Sequence, residues 1–335
     1  RSGKNSLLPI ISSFNKVEHF KDRGSYDIYL DMYESGNLTK QGFNYCFATD
    51  LLQDVWFTMI GRDVNTNLHD LSSVMNSSKK REYLERVNRK DSPSTFAEIL
   101  KEIKERQLIF PFVTNILKRN NVLGEISEKF KYIITMRNPI DMLFTWYRSG
   151  RATRLGTDSR YTVPSFQVKG FDNLPYSMLD NAAEYNKANP LEKCFLLIEQ
   201  EITEYLNANL LHANNSCLVP IENYWIETEK YIKIFENFLG TSRTEFTNNE
   251  MINANIPRIK DNETFSIKAN MIFDNINEKY MSRLKNLFQR YESEISDVYK
   301  LSSVVKSPKG KYKGLSVDAF SQISPPSKYN RGKRG

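Results

Sequence analysis

Two short stretches combine residue types and spacings that suit the binding of phosphate-like anions. The chain opens Arg1-Ser2-Gly3-Lys4-Asn5-Ser6-Leu7-Leu8, where a glycine turn leads into a helix. A helix start presents unpaired backbone N–H groups and the positive end of its dipole to an anion. Flanking lysine and hydroxyl groups add charge and donors. The second stretch is Tyr132-Ile-Ile-Thr-Met-Arg-Asn-Pro-Ile-Asp-Met-Leu-Phe-Thr-Trp-Tyr147. Arg137 ends an apolar, β-branched run, and Thr145 follows two turns into the next helix. A guanidinium matches phosphate oxygens in pairs, and a hydroxyl on the same side adds a further contact. Each stretch also has a plain structural counterpart: a serine-capped helix start, and an arginine salt-bridged at a strand end. A Walker A loop is not formed, because Asn5 rather than Ser or Thr follows Gly3-Lys4.

These residues need particular elements to hold them. Residues 6–14 read as a helix after the glycine turn, and Lys16–Phe20 as a short strand. Residues 26–60 read as helix broken around Gly36. Residues 66–107 carry helical periodicity with dense charge, as a helical insertion would. Lys131–Met136 suits a buried parallel strand, preceded by a helix at 113–129 and followed by one that starts at Pro139. Residues 149–176, with Gly150, Gly156, Pro164, Gly170 and Pro175, read as a long loop. A helix at 178–188, an apolar stretch Cys194–Tyr205 and a strand Cys217–Ile221 follow. Thr228–Leu239 is an amphipathic helix that Gly240 stops. Residues 273–300 read as one long helix.

The segments carrying Gly3-Lys4 and Arg137…Thr145 resemble two motifs of the sulfotransferases that use 3′-phosphoadenosine 5′-phosphosulfate (PAPS). Their order along the chain is the family's. The first is similar to the loop that binds the donor's 5′-phosphosulfate. It implies that role for Arg1, Ser2, Gly3, Lys4, Asn5 and Ser6, with Lys4 stabilising the leaving oxygen. The second is similar to the 3′-phosphate motif, in which an arginine after the strand is followed eight positions later by a serine. Arg137 and Thr145 stand there, and the threonine keeps the hydroxyl. A third, Cys217-Leu-Val-Pro-Ile-Glu-Asn-Tyr-Trp225…Phe238-Leu-Gly240, resembles the family's strand, helix and Phe-Leu-Gly ending, and its default reading is structural. Lys306–Gly314, including Lys309, loosely resembles a late loop that closes over the donor in some glycan sulfotransferases.

The resemblance implies a three-layer α/β/α fold of the P-loop-like sulfotransferase type with a parallel sheet. The domain would cover 1–306, with a helical insertion at about 60–110 and the first strand expected before Arg1. It further implies sulfuryl transfer from PAPS to a hydroxyl or amine, without a metal. The base is less legible. The stretch Phe112-Val113-Thr114-Asn115, where cytosolic members place a base, has no histidine or lysine. Other branches use a Glu or His soon after the first helix, which points to Glu18 or His19, only one of which can face the cleft from a strand. The alternatives are a P-loop kinase of a small molecule, or an inactive sulfotransferase-like glycan-binding protein. Phe144, Trp146 and Tyr147 with Arg148, Arg151, Arg154 and Arg160 suit a carbohydrate acceptor, and equally suit packing and solvated charge.

Composition narrows the rest. The net charge of +7 comes from the last thirty residues, where Lys306, Lys309, Lys311, Lys313, Lys328, Arg331, Lys333 and Arg334 face only Asp318. Residues 307–335 therefore read as a basic, flexible tail, and the near-neutral body gives no support to nucleic-acid binding. Cys46, Cys194 and Cys217 are too scattered for a metal cluster or a disulfide framework, although a single Cys194–Cys217 bridge stays open. No run approaches the ~18 apolar residues of a membrane span, and no signal peptide is legible, which favours the cytoplasm slightly.

Overall fold

The computed structural model describes residues 3–113, 130–155, 165–168, 171–207, 213–304 and Lys313. Helix α1 (Lys4–Ser12) leads to strand β1 (Lys21–Asp22), then α2 (Gly24–Glu34) and α3 (Lys40–Met59). The charged region that follows forms α4 (Lys80–Arg86) and α5 (Pro93–Arg106), before β2 (Phe112–Val113). β3 (Tyr132–Met136) runs into α6 (Pro139–Arg148), a short α7 (Arg151–Arg154) and a hairpin of β4 (Ser165–Val168) and β5 (Phe171–Pro175). Then come α8 (Ala182–Lys187), α9 (Pro190–Leu206), β6 (Ser216–Pro220), α10 (Ile221–Ile226) and α11 (Thr228–Leu239). The last helices are α12 (Glu245–Asn253), α13 (Asn262–Asn275) and α14 (Glu278–Glu294).

Side-chain alternation along β3 and β6 sets the layers. The two strands pair in parallel with Ile133 opposite Cys217 and Ile134 opposite Leu218. Ile134, Met136 and Leu218 face one core, built with Ile140, Leu143 and Phe144 of α6, Phe195 of α9, Phe265 of α13 and Phe288 of α14. Ile133, Cys217 and Val219 face the other, with Leu7, Ile10 and Ile11 of α1, Phe235 of α11 and Met251 of α12. The pair is thus sandwiched between two helical layers, as a strand pair with both faces apolar must be.

Several expectations change. Instead of one parallel sheet, the described strands form two parallel pairs, β1 with β2 and β3 with β6, plus the antiparallel hairpin. Strand geometry near residue 17 is a single bridge, Val17 to Ile109, and the ladder proper starts at Lys21. The region 149–176 holds α7 and the hairpin rather than loop alone. Residues 273–300 break into two helices, because Ile276 is extended and Asn277 caps α14 through its Oδ1 on the Lys279 amide at 3.0 Å. All three cysteines are free, so no Cys194–Cys217 bridge forms. Residues 114–129 of the expected helix at 113–129, and the tail apart from Lys313, lie outside the described residues. No described helix is long and apolar enough to cross a membrane.

Candidate anion-binding site

Gly3 sets the start of α1. Its φ of 88° is left-handed, and a Cβ there would stand 2.6 Å from Cγ2 of Ile221. Only glycine meets both constraints. Among the described residues no side chain caps the first turn, and the Ser6 amide is already bonded to Gly3 O at 3.0 Å. Ser6, expected to touch the ligand, instead pins the turn. Its Oγ donates to Gly3 O at 2.9 Å and accepts from Trp225 Nε1 at 2.9 Å. Tyr224 adds a hydroxyl bond to Ser6 O at 3.3 Å, so α10 clamps α1. Gly3→Ala is expected to cost at least about 1–2 kcal/mol of stability from backbone strain alone. Urea unfolding measures this, and an unchanged midpoint would contradict it.

Arg137 stands where β3 gives way to α6. Asn138 caps that helix by accepting from the Asp141 amide at 2.8 Å, and Pro139 occupies the first helical position. Behind the cap lies a buried carboxyl, Glu222. Its Oε1 accepts from Asn138 N at 2.9 Å and Asn138 Nδ2 at 3.0 Å, and its Oε2 accepts from Tyr291 OH at 2.8 Å. Burial, aided by the charge of Asp141, pushes the Glu222 carboxyl up despite those bonds. Burial alone would also raise Asp141. The charges of Arg137 and Lys268, with hydrogen bonds from Lys268 and Asn138, outweigh it and hold Asp141 below the usual range.

The Arg137 guanidinium is under-satisfied. Its Nη2 lies 3.7 Å from Asp141 Oδ2, whereas Lys268 Nζ lies 2.7 Å from Asp141 Oδ1. The Arg137 Nε is buried with no hydrogen-bond partner among the described residues. Its Cζ lies 5.2 Å from the Trp225 ring. A buried guanidinium donor without an acceptor is costly unless a ligand supplies one. Thr145 is half-buried on the next helix, but its hydroxyl donates back to Asp141 O at 2.7 Å. As it stands it offers a ligand lone pairs, and donating to a phosphate requires the proton to rotate away.

Glu18 and His19 are not placed as the sequence reading expected. Both precede β1 and pack at the carboxyl end of α1, where the adjacent Phe20 amide donates to Ser12 Oγ at 3.2 Å. Glu18 is 2% exposed. It accepts from Arg86 Nη1 at 2.7 Å and Nη2 at 2.8 Å, and from Tyr83 OH at 2.6 Å. Burial would raise this carboxyl, but the Arg86 bonds and charge and the Tyr83 bond overcome it, so it is a poor proton acceptor. His19 is buried with Nε2 3.3 Å from Leu71 O and with no partner for Nδ1 among the described residues, and burial pushes its imidazole down to about 4. Neither side chain opens to solvent beside Gly3.

Sequence reasoning missed Asp22, Trp225 and Lys268. β1 ends at Asp22, two residues beyond the Phe20 amide that bonds Ser12 at the carboxyl end of α1. Asp22 is the exposed carboxylate there. Its neighbours are fixed: Asp54 of α3 accepts from Lys21 Nζ at 3.1 Å and Tyr26 OH at 2.7 Å, and pairs with Arg23 at 2.7 Å. The rule that ligands gather outside the carboxyl ends of parallel strands would have found Asp22 had the ladder been placed two residues later. Arg1, Ser2, Arg160 and Lys309 lie outside the described residues. Arg151 lies over the Trp146 ring at 4.1 Å, and Phe144 is core. Among the described residues no group of His, Cys, Asp and Glu is placed to hold a metal. No protein-family model matches the chain, and no curated protein or solved structure is significantly similar to it, so what the site does must be read from its own residues.

Proposed function

We propose that the chain is a sulfotransferase of the P-loop-like type, taking a sulfuryl group from PAPS and passing it to a hydroxyl or amine acceptor. The observation that carries this reading is Arg137: a nearly buried guanidinium whose Nε has no acceptor among the described residues, tied through Trp225 and Ser6 to a start of α1 that no described side chain caps. Two anion-seeking features joined in this way suit a nucleotide with phosphate groups at both ends. The donor supplies a sulfur already bonded to a good leaving oxygen, so no metal is required.

This chain's residues divide the remaining work. The α1 amides and Lys4 neutralise the charge that develops on the departing bridging oxygen. Arg137 and Thr145 anchor the 3′-phosphate and so fix the donor's direction. Asp22, on the carboxyl end of β1, takes the proton from the acceptor as its oxygen attacks sulfur. Asp22→Asn is expected to lower turnover about a hundredfold, the low end for a general base because an exposed carboxylate is well solvated, with donor binding retained. Unchanged turnover would remove Asp22 from the mechanism. The reading as a whole is tested by calorimetry with adenosine 3′,5′-bisphosphate in the presence of a metal chelator. Micromolar binding is expected, and absence of binding would defeat the proposal.

A further inference from the structure

Glu222, on α10 and 1% exposed, holds both sides of the turn that carries Arg137. Its Oε1 accepts two N–H groups of Asn138, at 2.9 and 3.0 Å, which engages both lone pairs of that oxygen. Among the described residues its Oε2 meets the Tyr291 hydroxyl alone, at 2.8 Å. The same hydroxyl lies 3.5 Å from Met136 O, the carbonyl just before Arg137. A proton on this carboxyl therefore belongs on Oε2, donated to the Tyr291 oxygen, and the tyrosine proton then turns to Met136 O. With the carboxyl ionised, the tyrosine donates to Oε2 instead and releases that carbonyl. Both states are hydrogen-bonded, and they differ in what holds the peptide before Arg137.

Charge decides between them. Asn138 Nδ2 bridges Glu222 and Asp141, at 3.0 and 3.2 Å, so the two buried carboxyls form a pair. The titratable groups facing the pair are Arg137, Lys268 of α13, Tyr231 of α11, Tyr291 of α14 and Tyr299 beyond it. Burial pushes all three tyrosines up, so they stay neutral and the cluster reduces to two cations and two carboxyls. With both carboxyls ionised the charges cancel. With a proton on Glu222 one positive charge is left, and it falls to Arg137, which lies 3.7 Å from Asp141 where Lys268 lies at 2.7 Å. Burial, aided by the charge of Asp141, already favours that proton. An anion at the guanidinium favours it further.

We propose that Glu222 and Tyr291 form a proton-operated clasp on the Arg137 turn, and that an anion is taken up at Arg137 together with a proton. Glu222 is a positioning residue, acting through Arg137. The inference rests on the nucleotide-donor reading for the anion's identity and assigns that site its regulation. Linkage fixes the sign: a ligand that prefers the protonated state takes up protons on binding, and its affinity falls as pH rises through the carboxyl's ionisation.

The test is calorimetry on the full chain in paired buffers of different ionisation enthalpy, which counts protons exchanged on binding, between about pH 5 and pH 8. Adenosine 3′,5′-bisphosphate and sulfate are the probes. Sulfate keeps both charges throughout, so protons taken up with it bind the protein. Wild type should take up protons with sulfate and lose affinity about fivefold or more toward the upper end of the range. Glu222→Gln keeps an acceptor for Asn138 and a donor for Tyr291 but does not titrate. It should melt as a folded protein, bind both probes at high pH at least as well as wild type, and show no uptake with sulfate. Tyr291→Phe removes a bond that favours the ionised carboxyl, so its fall in affinity should move to higher pH; this shift decides the matter should Glu222→Gln not fold. No proton uptake by wild type with sulfate, or equal uptake by wild type and Glu222→Gln, overturns the clasp, and the donor reading then stands if the bisphosphate binds. Sulfate bound with uptake but no bisphosphate bound leaves the clasp and defeats the donor reading. If wild type binds neither probe, both fall.

Discussion

Replacing Arg137 with alanine is expected to weaken adenosine 3′,5′-bisphosphate binding by about 10²–10³-fold while the protein stays folded. The size follows from what is removed. Truncating one partner of a desolvated, hydrogen-bonded charge pair costs about 2–5 kcal/mol, and Arg137 would provide the main charge at the 3′-phosphate. The fold should survive because Arg137 is not the chief partner of Asp141. Lys268 Nζ at 2.7 Å keeps that carboxylate paired, and Asn138 continues to cap α6. Affinity for adenosine 5′-phosphate should fall far less, since that ligand does not need Arg137. Calorimetry with both nucleotides, alongside thermal melts, checks each part. Unaltered bisphosphate binding by the variant would place the nucleotide elsewhere.

Glu18→Ala should do the opposite, costing stability of about 3–5 kcal/mol. The guanidinium of Arg86, with its side chain 3% exposed, would be left buried without its carboxylate. Urea unfolding measures the loss. The outcome that reinstates Glu18 as the base is an unfolding free energy within about 1 kcal/mol of wild type together with a turnover drop beyond a hundredfold. The same region makes stability depend on pH. Glu18 has a folded value below its ordinary 4.5, so its contribution is present above 4.5 and is lost as pH falls toward the folded value. His19 has a folded value of about 4 against 6.5, so the unfolded chain binds more protons between them and stability falls as pH drops from 6.5 toward 4. Glu222 runs the other way. Its raised carboxyl contributes stability below its ordinary 4.5 that is lost as pH rises toward the folded value. Comparing wild type with His19→Gln isolates the imidazole: the variant should show a flatter stability profile between pH 6.5 and 4.

Local signals were legible where sequence and packing agree. Thr228–Leu239 with Gly240 as its stop appears as read, with Gly240 at φ 67°. Tyr132–Met136 and the helix from Pro139 are where an apolar β-branched run and a proline at a helix start place them. The break at Ile276 was hidden because Ile272, Ile276, Tyr280 and Leu284 keep a four-residue apolar spacing straight across it, all facing the same core. Periodicity cannot report an interruption that preserves its own phase. The site was half legible. Gly3 and Arg137 announce themselves by residue type beside a helix start and a strand end. The roles of Glu18 and Ser6 do not, because each is decided by a partner far along the chain, Arg86 in one case and Trp225 in the other.

Lys79, just before α4, gives that helix a mechanical role. Its ammonium donates to Phe14 O at 2.9 Å and also to Val17 O, at the turn where α1 ends. The positive charge complements the negative pole of the helix whose opposite pole begins at Gly3. Tyr83 and Arg86 of α4 grip the next residues along, Glu18 and the His19 amide. Helix α4 is therefore bolted to the carboxyl end of α1 rather than hinged over its start. Amide exchange in α1 and α4 would then proceed as one cooperative unit, and loosening α4 would tilt α1 and with it the turn at Gly3.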